Sequence, residues 1–303
     1  QTIVEAARLY ATAERASIVY SMCITQHTTG VDNVRSLANL AMIAGQIGRP
    51  GTGVNPLRGQ NNVQGACDVG ALPDVYSGYQ KVADAAARAR FEKAWKVGLS
   101  GAPGLTVTQM LPAALEGRIK ALYIMGENPV LSDADVTHVV KSLEKLEFLV
   151  VQDIFLTETA KLAHVVLPAS SYAERDGTYT NTERRVQLTK PVVRPPCQAR
   201  RDWEIICDIA TAVGYPMSYA STAEINAEMR GLTPSYAGIS HARLDAGAQL
   251  HWPCPSEDHP GTPILHRENF TRGLGQFYPT EYKPADEETD ASFPVVLTTG
   301  RML

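Results

Sequence analysis

The chain lacks any cluster of cysteines at metal-holding spacing. Its five cysteines, Cys23, Cys67, Cys197, Cys207 and Cys254, lie far apart, with no CxxC pair and no Cys/His cluster. That spacing excludes a zinc or iron–sulfur centre ligated at the usual intervals from within this sequence. Dispersed thiols of this kind suit a reducing compartment and predict a cytoplasmic chain. Long apolar runs are missing too: nothing approaches the roughly 20 residues of a membrane helix, so no membrane segment is expected. A formal net charge of -4 provides no basic field for a phosphate backbone, which argues against a nucleic-acid partner. There is no G-x-G-x-x-G fingerprint and no Walker A lysine; the glycines from Gly48 to Gly53 lack both the strand before them and the Lys-Ser after them. An ordinary NAD domain and a P-loop NTPase are therefore disfavoured.

What remains is ordinary globular material, 44% apolar and 20% charged over 303 residues, long enough for two domains. Gln1 opens without methionine inside a helical pattern, and Phe293 to Leu303 reads as a strand and turn without a partner. Both predict a piece of a longer polypeptide. The most unusual stretch is Gly48 to Asp74, dense in Gly, Pro, Asn and Gln around a single arginine, Arg58. Turn-forming residues with amide side chains and almost no Lys or Glu suit a binding loop, although a long surface connection would share that composition.

Along the chain, Thr2 to Ala13 has one apolar helical face and predicts a packing helix. Ser17 to Met22 reads as a strand whose carboxyl end carries Gln26 and His27, the latter a capping or packing histidine rather than a ligand. Val31 to Ile47 repeats at helical spacing, with Gly48 as its stop. The segment from Tyr76 to Leu115 is Ala-rich and helical, broken at Gly98 to Gly104.

Three short apolar runs then follow: Ala121 to Met125, Phe148 to Val151 and His164 to Leu167. They suit parallel strands buried on both faces, joined by a helix from Asp133 to Leu146 capped by Ser132 and a shorter one from Thr157 to Ala163. Each run ends in polar or turn residues: Gly126, Glu127 and Asn128, then Gln152 and Asp153, then Ala169 and Ser170. Open parallel sheets bind ligands beyond the carboxyl ends of their strands, so this edge predicts a nucleotide-like ligand. Local readings compete at single positions, since Asn128-Pro129 could form a turn and Asp153 or Asp202 a helix cap. The segment from Tyr172 to Gln187 suits a hairpin, and Trp203 to Val213 an amphipathic helix. Beyond Pro216 periodicity is weak.

The fold class expected is α/β, a doubly wound and mostly parallel sheet with an additional mixed α+β lobe. The expected domains are residues 1–60, ending one cofactor-binding domain with the Arg58 loop, and 61–171 plus 201–222, a second one. Residues 172–200 plus 223–290 would form a peripheral lobe, and 291–303 the start of a C-terminal domain.

The run GVNPLRGQNNVQGACDVGALPD, Gly53 to Asp74, resembles the signature loop of molybdenum or tungsten formate dehydrogenases among the molybdopterin-guanine-dinucleotide oxidoreductases. ITQHTTGVDNVRSLANLAM from Ile24, MGENP from Met125, VVQDIF from Val150, VVLPASSYAERDGTYTNTERRVQ from Val165 and RDWEII from Arg201 agree in order and spacing. Nearly the whole chain is covered. MGENP and NTERRVQ are general to the superfamily, whereas VNPLRGQNNVQG is specific to the formate branch.

The resemblance implies that Arg58 holds the formate carboxylate, and that Gln26, Gly59 and Gln60 lie near the pterin. It also implies that Gly126, Glu127, Asn128, Gln152, Asp153, Ser170 and Asp202 contact the dinucleotide arms. The cofactor implied is molybdenum or tungsten bis-molybdopterin guanine dinucleotide. A 4Fe-4S cluster and the Cys or Sec metal ligand with its histidine would precede Gln1, so no metal ligand is assigned here. Formate, CO2 and electron-transfer subunits with iron–sulfur or flavin centres are the implied partners, and TQHTTG resembles the NAD-linked branch. Cys23 departs from the glycine common in relatives, and Ala169 from a serine found in some. An electron-transfer scaffold like the large subunit of NADH dehydrogenase, or a nitrate reductase-like enzyme, are the alternative readings.

Overall fold

Two units make up the computed structural model, Gln1–Asn61 with Thr262–Leu303, and Asn62–Gly261. It describes residues 1–285 and 287–297. The first unit contains α1 (Thr2–Thr12), β1 (Ser17–Tyr20), α2 (Met22–Thr25), α3 (Gly30–Ile43) and β2 (Gly53–Pro56). β1 and β2 pair in parallel, Ser17 opposite Gly53 through Tyr20 opposite Pro56, with α3 in the crossover. Their carboxyl ends therefore share one edge. α3 stops before Gly48, because Gly45 at φ 64 closes it: the Gly45 N–H reaches the Met42 carbonyl and the Gln46 N–H the Ala41 carbonyl.

Gln46 then does work that an apolar residue could not. It is buried, accepts from the Ala16 N–H at 3.0 Å and donates to the Ala13 carbonyl at 2.7 Å, while its own carbonyl accepts from the Gly53 N–H. One side chain thus satisfies the backbone at the end of α1 and the start of β1. α1 departs from the expected packing helix: Ile3 and Leu9 are 86% and 74% exposed, since no described element covers that face. Asn39 pins the returning segment by donating to the Tyr278 carbonyl at 2.7 Å and accepting from its N–H at 3.1 Å. Phe293 to Leu297 forms no strand, and the rest of the expected terminal strand, 298–303, lies outside the described residues.

The second unit begins with α4 (Val63–Asp68), β3 (Val75–Tyr76), β4 (Gln80–Lys81), α5 (Ala85–Trp95) and α6 (Val107–Leu115). β5 (Ala121–Met125), α7 (Pro129–Ser132), α8 (Val136–Glu144), β6 (Phe148–Asp153) and β7 (Val165–Pro168) follow. β8 (Gly177–Thr180), β9 (Arg185–Thr189), α9 (Asp202–Ala212), α10 (Thr222–Leu232), α11 (His241–Asp245) and β10 (Leu250–His251) complete it.

β5, β6 and β7 form a parallel sheet in that order. Leu149 and Val151 of β6 are fully buried against Leu111 and Ala114 of α6 and Val139 and Leu143 of α8. Gln152, on the opposite face, reaches the first residue of α9. β5 differs from the expectation of two buried faces: as an edge strand it alternates, and Tyr123 and Met125 are exposed.

The helix expected from Asp133 to Leu146 is shorter, Val136–Glu144, and the separate turn α7 precedes it. Asp135, not Ser132, caps α8 by accepting from the His138 N–H at 3.1 Å. The segment expected as a helix after β6 shortens to a single 3-10 turn, Ala160–Leu162. β8, β9 and β10 form an antiparallel sheet over a second core of Val186, Tyr236, Ile239, Leu244 and Leu250, the expected mixed lobe.

Candidate functional site

In the first unit the Arg58 loop leaves the carboxyl end of β2. The ladder continues one residue beyond the strands, since the Leu57 N–H donates to the Tyr20 carbonyl at 2.7 Å and Ser21 Oγ to the Leu57 carbonyl at 3.2 Å. Arg58 is the next residue, and its side chain is exposed. Its charge acts on the Tyr20 phenol at the end of β1: burial pushes that phenol up, and the Arg58 guanidinium pulls it partly back. Gln26, the residue that closes α2, is exposed on the same strand edge, as are Gly59 and Gln60 along the loop. Gly30 lets α3 start tight against this edge, because a Cβ there would sit 2.1 Å from the Thr25 carbonyl oxygen. The unit therefore brings Gln26, Arg58, Gly59 and Gln60 to one rim.

The loop is less irregular than its composition suggests. It contains β2 and α4, and two of its amides serve the fold: Asn62 Oδ1 accepts from the Thr180 N–H at 2.9 Å, and Gln64 Nε2 donates to Asp68 Oδ1 at 2.7 Å. Asp68 is fully buried and also accepts from the hydroxyls of Tyr79 at 2.7 Å and Tyr236 at 2.6 Å. Both phenols are driven far above their ordinary range by burial together with that carboxylate. Arg184, itself half-buried, adds positive charge nearby.

In the second unit, the carboxyl ends of β5, β6 and β7 gather the remaining residues. Gly126 turns the chain at φ 64, and its N–H donates to the Gln152 carbonyl at 2.9 Å. The Gln152 side chain is fully buried: Tyr123 Oη donates to its Oε1, and its Nε2 donates to Asp202 Oδ1 at 2.7 Å. The second oxygen of Asp202 is ion-paired with Arg175. Asp202 is the first residue of α9 rather than its cap, a place taken by Arg201, so its carboxylate lies in the first turn, where the helix dipole favours it.

Ser170 follows the end of β7, held by its N–H on the Arg200 carbonyl at 2.8 Å. It is 2% exposed, and its Oγ has no hydrogen-bond partner among the described residues. The Trp203 Nε1 in the first turn of α9 is likewise buried without one. Buried polar atoms are rarely left this way, and such atoms at a strand edge fit the polar arms of a bound ligand.

Other expected contacts are engaged locally. Asn128 Oδ1 accepts from Thr159 Oγ1 at 2.7 Å and its Nδ2 donates to Glu158 at 2.8 Å, which holds the Glu158 carboxyl below its ordinary range. Glu127 accepts from Ser132 Oγ at 2.9 Å, and Asp153 Oδ1 from the Phe155 N–H at 3.0 Å. Asp153 ends β6 opposite Pro168 of β7. Sequence reasoning missed Tyr123, Thr159, Arg175 and Asp68, which pair with Gln152, Asn128, Asp202 and Tyr236 across 27 to 168 residues. Only Asp68, an acid closing a short helix between Cys67 and Val69, could have signalled its burial. No group of three or more His, Cys, Asp or Glu is placed to hold a metal ion among the described residues. Nor is any described helix long and apolar enough to cross a membrane.

The chain is 54% identical to the F420-dependent formate dehydrogenase subunit alpha of Methanocaldococcus jannaschii, over 100% of its own length and 45% of that protein's. Formate dehydrogenase H of Escherichia coli is 45% identical over 98% of this chain and 42% of its own. The chain thus spans less than half the length of these curated relatives. Acetylene hydratase from Pelobacter acetylenicus superposes with a TM-score of 0.58 over 80% of this chain and 36% of its own, at 18% identity, a likeness of fold. Residues 6–212 match the molybdopterin oxidoreductase family, to which this chain belongs.

Proposed function

We propose that this chain forms the central part of a formate dehydrogenase catalytic subunit, carrying out the two-electron oxidation of formate to CO2 or the reverse. The observation that carries the reading is the position of Arg58, at the carboxyl end of a parallel strand and within a loop that resembles the formate branch. A guanidinium presents two parallel donors to a carboxylate and stays charged at any working pH. Arg58 binds formate through both oxygens and leaves its C–H directed away from the arginine. As the C–H bond breaks, one proton and two electrons leave the carbon; the neutral CO2 that forms loses the charge-assisted pair and departs.

Family membership implies a molybdenum or tungsten pterin as the cofactor class, and when bound it supplies the acceptor for those electrons. The finer assignment is a bis-molybdopterin guanine dinucleotide. Gln26, Gly59 and Gln60 border its pterin, while Gly126, Glu127, Asn128, Asp153, Ser170 and Asp202 hold its nucleotide arms; Gln152, buried with both amide ends committed, serves them by orienting Asp202. The orphaned Ser170 Oγ supports that role. Residues 1–60 and 61–171 plus 201–222 serve as the two cofactor-binding domains, with 172–200 plus 223–290 peripheral and 291–303 opening a further domain. A 4Fe-4S centre outside these residues passes the electrons to a partner subunit in the cytoplasm. Two acceptors are in view, NAD from the TQHTTG resemblance and F420 from the names of two relatives.

The test is cofactor loading and turnover in the metal-supplied enzyme that contains this chain. Formate-dependent reduction of a viologen dye, of NAD and of F420 is assayed beside metal and pterin content. The reading expects dye reduction with formate, and reduced loading in Asp153→Ala. Full loading in that variant, or no formate oxidation by fully loaded enzyme, contradicts it.

A further inference from the structure

Tyr20 ends β1, and Arg58 lies two residues beyond the end of β2, both within the first unit. The two strands run parallel with Tyr20 opposite Pro56, and side chains alternate along a strand, so Arg58 falls on the face that Tyr20 occupies. The alternation holds past the strand ends because the ladder does: the Leu57 N–H donates to the Tyr20 carbonyl at 2.7 Å, and Ser21 Oγ to the Leu57 carbonyl at 3.2 Å. On one sheet face such diagonal neighbours are within reach of an aromatic ring and a long side chain. The reach is used, since the Arg58 guanidinium acts on the partly buried Tyr20 phenol. Burial outweighs that pull and keeps the phenol above its ordinary value, so its hydroxyl stays a donor at neutral pH.

We propose that Tyr20 is a second substrate-binding residue for formate: its phenol O–H donates to one carboxylate oxygen while Arg58 grips both. The inference rests on the proposed role of Arg58 and deepens it. A carboxylate has about four lone-pair sites on its two oxygens, and a guanidinium fork uses two of them, which leaves room for a further donor. A neutral hydroxyl suits the place, because it adds a bond to the anion without repelling the guanidinium as a second cation would. The backbone beneath both side chains is tied together by the bond from Leu57 to Tyr20, so the two donors keep their spacing. As formate becomes CO2, negative charge leaves the carboxylate oxygens and the hydroxyl loses its hold. Tyr20 therefore acts on the affinity for formate rather than on the rate of the step that breaks the C–H bond.

Formate kinetics are measured in the metal-supplied enzyme that contains this chain, for wild type, Tyr20→Phe, Arg58→Lys and the double variant, each with its metal and pterin content and its denaturation midpoint. Tyr20→Phe removes a single oxygen that makes no hydrogen bond among the described residues, so the bonds of the fold stay intact. In that variant KM for formate should rise about tenfold, as for a lost hydrogen bond to a charged group, while kcat moves by less than about twofold and loading and midpoint match wild type. The double variant should lose less than the product of the two single losses, because both side chains hold one carboxylate. Wild-type KM in Tyr20→Phe, beside a loss in Arg58→Lys, overturns the role of Tyr20 and leaves that of Arg58 standing. A lowered kcat at unchanged KM also overturns it, since the hydroxyl would then serve the transition state and not formate. If Arg58→Lys itself keeps wild-type kinetics, the reading of Arg58 fails and that of Tyr20 with it.

Discussion

Gln152 donates to Asp202 at 2.7 Å, joining the middle strand of the parallel sheet to the first turn of a helix 50 residues later. The bond fixes the orientation of an amide that has no contact with solvent, and with it the carboxylate on the rim. Replacing Gln152 by Leu keeps the volume but strands both the Tyr123 hydroxyl and the Asp202 oxygen. The expected loss is about 1–3 kcal/mol of stability, read from urea denaturation. A variant as stable as wild type would mean that water satisfies both groups and that the amide is dispensable.

Asp68 anchors α4, the helix that closes the Arg58 segment, through donors from Gln64, Tyr79 and Tyr236. Asp68→Asn turns one acceptor oxygen into a donor facing a hydroxyl. A loss of about 1.5–3 kcal/mol is expected, as for hydrogen bonds to a charged group. Combined with Tyr236→Phe the losses should be less than additive, since both variants break the same bond. Additive losses would show that the two side chains are energetically independent.

Stability should fall as the solution is acidified below neutrality. Burial is the main cause that holds the imidazoles of His241 and His251 below their ordinary value, against the opposing pull of Asp176 and Asp245 on the first and Glu183 on the second. Arg184 and Arg185 add to the depression at His251. The unfolded chain therefore binds protons at these positions before the folded one does, and unfolding is favoured as pH drops through about 6.5. Denaturation midpoints at pH 7.5 and 5.5 should differ in that direction, and the difference should shrink in His241→Gln. Equal midpoints would leave the two histidines with no part in acid sensitivity.

Much of the sheet was legible because a parallel strand is a short, nearly continuous apolar run: ALYIM and FLVV sit where β5 and β6 form. The edge status of β5 was not, since exposure of Tyr123 depends on which strand ends the sheet. Helix starts were misread where several caps compete; Ser132 and Asp135 both qualify, and only the Asp135 carboxylate accepting from the His138 N–H decides between them. After Pro216 the helices α10 and α11 were invisible because polar residues such as Asn226 are buried in place of an apolar stripe. At the candidate site, the strand-end rule located Gly126, Gln152, Asp153 and Ser170 on one rim. It could not foresee Arg175 on Asp202, a pairing set by the loop between β7 and β8.

The central claim is that Arg58 holds the formate carboxylate, and the most direct measurement is kcat/KM for formate in Arg58→Lys, made in enzyme with its metal and pterin content quantified. Lysine keeps the charge and loses the two-pronged donor geometry. The account predicts a loss of about 2–4 kcal/mol of transition-state stabilisation, roughly 30- to 1,000-fold in kcat/KM, at unchanged metal content. Wild-type kcat/KM in a fully loaded variant would contradict it.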